Sequence, residues 1–124
     1  ELMETAGPQV EGAYLSTPMT DDAPEYADYK KAFDARHKKT GYKANIYAYY
    51  GMDGIMLLEW AVKKTKSFDG EVLKKALESA KNVPLFTESF TIDPKTHNPL
   101  NKSVTILQIK DSKYHHLKTF KPTK

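Results

Sequence analysis

The residue types that most often carry chemistry are present, but their spacing does not assemble a reactive site. His115 and His116 are neighbours in a predicted strand, where adjacent side chains point to opposite faces and cannot converge on one ion. Residues 93–97 lack the acidic spacing of a calcium loop, and residues 51–54 are not followed by the Lys and Ser/Thr of a phosphate loop. There is no cysteine, and no Ser-His-Asp or paired-carboxylate arrangement is legible. The sequence therefore predicts no metal site, no cofactor and no enzymatic activity.

The charge balance excludes a further class of partner. The chain carries 19 basic and 16 acidic residues, a net charge of +3, and Arg36 is its only arginine. Nucleic-acid sites favour the bidentate fork of arginine, so this balance predicts no nucleic-acid partner. With 40% apolar and 28% charged residues, and no apolar run near the roughly 20 residues of a membrane span, the 124 residues are expected to form one globular domain at most.

Hydrophobic periodicity and capping residues predict a mixed α/β chain. Residues 21–24 carry helix-start chemistry, and Asp69 can cap a later helix. After Pro84 the pattern changes from helical to alternating, and Asp111-Ser112 is suited to a hairpin turn. The predicted helices lie near 24–39, 45–65 and 70–81, and the predicted strands near 12–17, 86–92, 103–110 and 113–120.

Two of these elements carry more apolar surface than the chain itself can cover. The helix centre at 52–62 is apolar nearly all round and is interrupted only by Asp53 and Glu59. A helix without a polar face is buried on several sides. The strand at 104–109 is apolar on both faces, which is typical of a strand inside a covered sheet. The sequence therefore predicts an incomplete unit, which either self-associates or needs the missing part of a longer protein.

Three segments, in this order, match the pattern of one known family. Residues 10–18, VEGAYLSTP, combine an acidic-Gly pair, an aromatic or aliphatic stretch and a proline. Residues 47–58, YAYYGMDGIMLL, form a Tyr-rich helix start with an aromatic-Asp-small pattern. Residues 92–99 contain IDP and HNP, and VTILQIKD follows at 104–111. Together they resemble the crossover strand, helix start and closing hairpin of the periplasmic-binding-protein type 1 family, in its branched-chain amino acid receptor branch. The departure is Glu88, where the family usually has glycine.

The resemblance, which extends from about Gly7 to Pro122, implies a fold and a function. The fold is a two-lobed, three-layer α/β protein of which this chain is the C-terminal portion. Residues 1–18 would be the crossover strand, 19–84 the helical part of a lobe and 85–124 the closing strands. The implied function is the extracytoplasmic solute-binding component of an ABC importer, in the periplasm or as a membrane-anchored lipoprotein. Its partners would be an amino acid-like small molecule and a membrane permease. A ligand-sensing receptor domain of the same fold is the alternative.

The resemblance also implies ligand contacts. Glu11 matches the position that faces the ammonium group of an amino acid ligand, where a charge-assisted hydrogen bond is strong. The other interpretation is a solvated glutamate at a strand entrance. Tyr47, with Asn45 and Tyr49, opens the helix that lines the cleft, where aromatic walls and a few polar groups suit a small ligand. These aromatic residues would otherwise belong to the core. Tyr14, on the crossover strand, is a further candidate.

Overall fold

A computed structural model describes residues 2–19 and 26–121, which cluster into two compact units. The first unit comprises the described residues of Glu1–Thr20 and Lys102–Lys124, and the second those of Asp21–Asn101. The helices in the described part of the chain are α1 (Leu2–Ala6), α2 (Ala27–Arg36), α3 (Ile46–Thr65) and α4 (Gly70–Glu78), with a 3-10 turn at Gly7–Val10. The strands in the same part are β1 (Tyr14–Thr17), β2 (Thr91–Ile92), β3 (Pro99–Leu100), β4 (Val104–Lys110) and β5 (Lys113–Phe120).

The first unit is built on a three-stranded antiparallel sheet in the order β1-β4-β5. Tyr14 pairs with Gln108, so strands that lie far apart in sequence are neighbours in the sheet. Thr105, Leu107 and Ile109 are buried on one face of β4, whereas on the other face Ile106 is half-buried and Val104 is exposed, so the described residues cover only one of the two apolar faces that the sequence shows. The predicted strand positions at 12–17, 103–110 and 113–120 are thus confirmed to within two residues at either end.

The turn between β4 and β5 has the geometry of a tight hairpin. Asp111 and Ser112 have φ values of 51° and 54°, and positive φ at both central residues is the mark of a type I′ turn. The predicted hairpin turn is therefore confirmed. Further along, Ile106 pairs with Lys118 but Leu107 pairs with His116, so β5 bulges at this point. Every residue of β5 is exposed.

Two helices of the second unit, α3 and α4, begin with side-chain caps. Asn45 caps α3, and the Oδ1 atom of Asp69 accepts a hydrogen bond of 3.0 Å from the Val72 amide at the start of α4. The three predicted helices are confirmed, although α4 ends at Glu78 and not near residue 81. The Ser79 hydroxyl donates to the Ala76 carbonyl oxygen at 2.6 Å, which closes the last turn there. The expected helix-start residues 21–24 lie outside the described residues.

Aromatic rings from α2, α3 and the segment that follows α4 form one cluster in this unit. The ring centroids of Tyr26 and Tyr49 are 5.0 Å apart, and those of Tyr29 and Phe86 are 4.9 Å apart. Tyr49 is fully buried among them. Offset and edge contacts at these separations stabilise by about 0.5–1.5 kcal/mol per pair beyond the burial of area. The cluster therefore holds α2 and the residue 84–90 segment against the start of α3.

A buried carboxylate adjoins this cluster. Asp53 is only 6% exposed, and it accepts a 2.9 Å hydrogen bond from the Thr87 amide as well as one from the Thr87 hydroxyl. The Tyr26 hydroxyl donates to the Thr87 carbonyl oxygen at 3.3 Å. A buried ionised group is tolerated only when it is hydrogen-bonded, and Thr87 meets that requirement.

The prediction of a strand over residues 86–92 is wrong for most of its length. Only β2 is a strand there, paired with β3, and a single bridge joins Val83 to Phe90. Phe86 packs in the aromatic cluster, and the Thr87 amide is used by Asp53, so neither can take part in a regular ladder. Apolar residues do alternate in this range, but Phe86 and the Thr87 amide make two different tertiary contacts in place of strand pairing. The short helix α1 and the 3-10 turn were not predicted.

We expect Asp53→Ala to destabilise the chain. The variant leaves the half-buried Thr87 amide without its acceptor, and such a loss costs about 1–3 kcal/mol. The free energy of unfolding from chemical denaturation measures the effect. Glu59→Ala is the matched control on the same helix, because Glu59 forms an exposed ion pair with Lys63 that contributes at most about 0.5 kcal/mol. Equal losses for the two variants would contradict the assignment.

Candidate ligand-binding site

Glu11 lies just before β1, and its carboxylate already has a structural role. Its two oxygens accept hydrogen bonds from the amides of Asp111 at 2.8 Å and Ser112 at 3.4 Å. These amides belong to the type I′ turn, so Glu11 binds the β4–β5 hairpin to the entrance of β1. The residue is nevertheless exposed. The carboxylate is therefore oriented by backbone donors and reaches the surface.

Tyr14 is the other candidate in the first unit. It is the first residue of β1, pairs with Gln108, and is 68% exposed. Its ring is therefore free of a packed environment within this unit. The Gln108 side chain is close to the Gly12 carbonyl oxygen, at 3.5 Å, so this end of β1 carries both polar and aromatic surface.

Asn45 is the N-cap of α3. Its Oδ1 atom accepts hydrogen bonds from the Tyr47 amide at 3.0 Å and the Ala48 amide at 3.3 Å. This satisfies two of the amide groups that the first turn of a helix leaves without an intrahelical partner. Both Asn45 and Tyr47 are exposed. The cap therefore fixes the direction in which the helix start presents its side chains.

Tyr47 and Tyr49 lie on opposite sides of that helix start. Tyr47 is 77% exposed, whereas Tyr49 has no exposed surface. Two residues of helix turn a side chain through about 200°, so one of the pair faces solvent when the other faces the cluster. Tyr47 is thus placed as a ring that a ligand can reach, and Tyr49 as a core ring beneath it.

The five candidates fall into two groups. The structure brings Asn45, Tyr47 and Tyr49 together at the start of α3 in the second unit, and it places Glu11 and Tyr14 at the start of β1 in the first. Each group is described within its own unit. Their joint role in one ligand site stays a prediction.

Sequence reasoning missed the electrostatic environment of Tyr50. Burial raises the pKa of the Tyr50 hydroxyl to about 12, with further contributions from the charges of Glu88 and Asp53 and from Tyr26. Two acidic residues and a tyrosine therefore share one part of the second unit. The signal was present in the sequence, because a lone Asp53 inside an apolar helix requires buried hydrogen-bond donors nearby.

We expect the stability of the chain to fall as the pH rises from 10 to about 12. The pKa of Tyr50 is raised from 10.0 to about 12 in the folded chain, so the unfolded chain loses this proton first. The stabilisation that comes from the protonated Tyr50 hydroxyl is therefore complete below pH 10. It is lost as the pH approaches about 12, the pKa of Tyr50 in the folded chain. Unfolding curves in this window should show a shallower decline for Tyr50→Phe. Tyr47→Phe is the control for removing a hydroxyl from α3, and an unchanged slope for Tyr50→Phe would contradict the assignment.

The turn after β2, at residues 93–97, is held by internal hydrogen bonds. The Asp93 carboxylate accepts hydrogen bonds from the amides of Lys95 at 2.8 Å and Thr96 at 3.3 Å, and these bonds hold the pKa of Asp93 below its usual value. The Nε2 atom of His97 lies 3.1 Å from a Glu78 carboxylate oxygen on α4. These contacts thus stabilise the turn and join it to α4.

The two adjacent histidines of β5 have separate partners. The Nε2 atom of His115 lies 3.1 Å from the Lys110 carbonyl oxygen, and that of His116 lies 2.9 Å from the Thr119 hydroxyl. Within residues 2–19 and 26–121, no three His, Asp or Glu side chains converge in a way that could hold a metal ion.

No helix in the described part of the chain is long and apolar enough to cross a membrane.

Comparison with known proteins identifies one family model and several solved structures that are similar to this chain. The family model described as periplasmic binding protein matches residues 1–114. A leucine-binding protein of Thermotoga maritima is 22% identical, with a TM-score of 0.75 over 98% of this chain and 34% of its own. An ABC transporter solute-binding protein of R. palustris, in complex with benzoate, is 22% identical, with a TM-score of 0.69 over 98% and 33%. An ABC transporter substrate-binding protein of Sphaerobacter thermophilus is 21% identical, with a TM-score of 0.69 over 97% and 34%.

These comparisons confirm the fold class that the sequence motifs implied. The chain spans about a third of the length of the solved structures it matches, so it corresponds to a fragment of their fold. No curated protein sequence matches it at a significant level. Because the family model matches nearly the whole sequence, the chain belongs to the periplasmic binding protein family.

Proposed function

We propose that this chain is the C-terminal portion of an extracytoplasmic solute-binding protein, which delivers a small ligand to the permease of an ABC importer and is not an enzyme. The observation that carries the proposal is the family match over residues 1–114. The similar solved structures support it, since they are named as a leucine-binding protein and as solute-binding or substrate-binding proteins of ABC transporters. Their greater length leaves room for the second lobe that such a cleft needs.

The proposed ligand is an amino acid or a similar small solute, and Glu11 is proposed to face its ammonium group. A carboxylate has about four lone-pair positions, so the two turn amides leave acceptor capacity for a ligand. The structural role of Glu11 in the hairpin is therefore compatible with a role in binding.

The start of α3 is proposed as a further ligand-contacting surface. The exposed ring of Tyr47 offers an aromatic surface, and the Asn45 side chain offers amide donors while its oxygen caps the helix. Tyr14 would supply a further ring from β1. Tyr49 is completely buried, so we assign it the supporting role of holding the helix start in place.

Glu11→Gln in the complete protein should weaken amino acid binding by about 1–3 kcal/mol, or roughly fivefold to 150-fold. The substitution removes the charge that faces the ammonium group but keeps the size of the side chain. Titration calorimetry with leucine as the probe measures the change. Glu71→Gln, at an exposed position on α4, is the matched control.

A second background separates binding from an indirect effect through the hairpin. Asp111→Asn combined with Ser112→Gly favours the type I′ turn, because these residues adopt positive φ readily, and it leaves Glu11 intact. If Glu11→Gln acts only by loosening the turn, this background should restore affinity. If Glu11 binds the ligand, the loss should persist there. Restoration, or an unchanged affinity for Glu11→Gln alone, would remove Glu11 from the site.

The chain on its own should self-associate and bind amino acids negligibly. Tyr47, Ile55 and Leu58 on α3 are 77%, 65% and 45% exposed, and all of β5 is exposed, so apolar surface and a strand edge are left uncovered. Light scattering over a dilution series measures the association. Ile55→Glu should reduce it, whereas Val72→Glu on α4, a position 40% exposed, is the control. A monomeric chain that binds leucine tightly would contradict this prediction.

A further inference from the structure

A cavity of about 290 Å³ lies within the second unit, between α4 and the β2–β3 hairpin. It is well separated in sequence from Glu11, Tyr14 and the start of α3, and none of those residues lines it. Its volume approaches the lower end of the range for small-molecule pockets in proteins. The lining residues are Gly70, Leu73, Lys74, Leu77, Glu78, Ile92 and His97.

The helix contribution comes from one face of α4. Gly70, Leu73, Lys74 and Leu77 follow the three- and four-residue spacing that aligns side chains along a helix. Leu73 and Leu77 are half-buried, whereas Lys74 is exposed. The cavity therefore has an apolar floor on this side and a cation at its mouth.

The opposite wall is held by hydrogen bonds and not by packing alone. The Ile92 amide donates to the Ala80 carbonyl oxygen at 3.1 Å, which ties β2 to the residues after α4. The Asp93 carboxylate binds the turn amides, and His97 adopts a φ of 59° at its end. The His97 ring then contacts Glu78 at 3.1 Å. One wall of the cavity is thus a preformed loop.

Two side chains of opposite charge, Lys74 and Glu78, line the cavity. Glu78 is engaged by His97. Lys74 has no ion pair or hydrogen bond to any residue in the described part of the chain. Apart from the Glu78–His97 pair, the lining is dominated by the side chains of Leu73, Leu77 and Ile92. A ligand that complements this site has an apolar body and a single negative group.

We propose that the cavity binds a small monocarboxylate, with its hydrocarbon part on Leu73, Leu77 and Ile92 and its carboxylate beside the Lys74 ammonium. A multiply charged phosphate is a poorer match, because one exposed cation and apolar walls cannot replace its hydration. This site is separate from the ligand contacts proposed at Glu11 and at the start of α3, and it does not depend on them.

The proposal is tested with hexanoate and the 124-residue chain. Backbone amide shifts in two-dimensional ¹H–¹⁵N NMR should change for Leu73, Leu77, Ile92 and His97. Affinity should rise about threefold to fourfold for each methylene from butyrate to hexanoate, as expected for burying a methylene group. Hexanol, which lacks the carboxylate, should bind more weakly.

Matched variants decide which residues carry the binding. Lys74→Met should weaken hexanoate binding about twofold to fivefold, the effect of an exposed ion pair, and should leave hexanol binding unchanged. Lys75→Met, one residue further along α4 and outside the cavity, should change neither. Gly70→Leu adds a side chain at the lining, where a Cβ atom meets no atom within 4 Å, and should abolish binding without unfolding the chain. Shifts confined to other residues, or equal effects of Lys74→Met and Lys75→Met, would overturn the proposal.

Discussion

The buried carboxylate of Asp53 is the constraint on which the second unit depends. It lies in a helix whose centre is otherwise apolar, and its charge is accommodated by the amide and hydroxyl of Thr87, 34 residues away in sequence. Because the Thr87 carbonyl oxygen also accepts a hydrogen bond from Tyr26, three distant segments meet at this one residue. The aromatic cluster packs beside that point. The polar contact therefore selects one rotation of α3, and the rings stabilise it.

That rotation decides the environment of every other residue on α3. Tyr49 is four residues before Asp53 and shares its buried side, whereas Tyr47 and Leu58 lie within about 20° of each other on the exposed side. Gly54 lies along the same exposed line, and a Cβ atom there would meet nothing within 4 Å. The apolar pattern alone left the orientation of the Tyr-rich segment open. Once Asp53 is known to be buried, the separation into core and exposed tyrosines follows from helix geometry.

Local signals in the sequence were sufficient wherever one segment determined its own structure. Asn45 and Asp69 capped their helices, and Asp111-Ser112 formed the expected turn. The signals failed where a distant residue decided the outcome. Thr87 looked like a strand residue, but Asp53 took its amide, and the pairing of β1 with β4 could not be obtained from either segment alone. The family motifs identified the shared fold, but the pairing of β1 with β4 was not predicted from them.

The same local structure gives the candidate site residues their orientation. Asn45 caps α3 through its oxygen, so its amide nitrogen is turned away from the helix amides. Glu11 is held by the turn at Asp111, so its remaining lone pairs have a defined direction. Side chains whose rotamers are already restrained lose less entropy when a ligand binds, and a restrained carboxylate is a stronger partner for a cation than a mobile one. A structural role therefore does not compete with a binding role at these two positions. It is compatible with the binding role proposed for them.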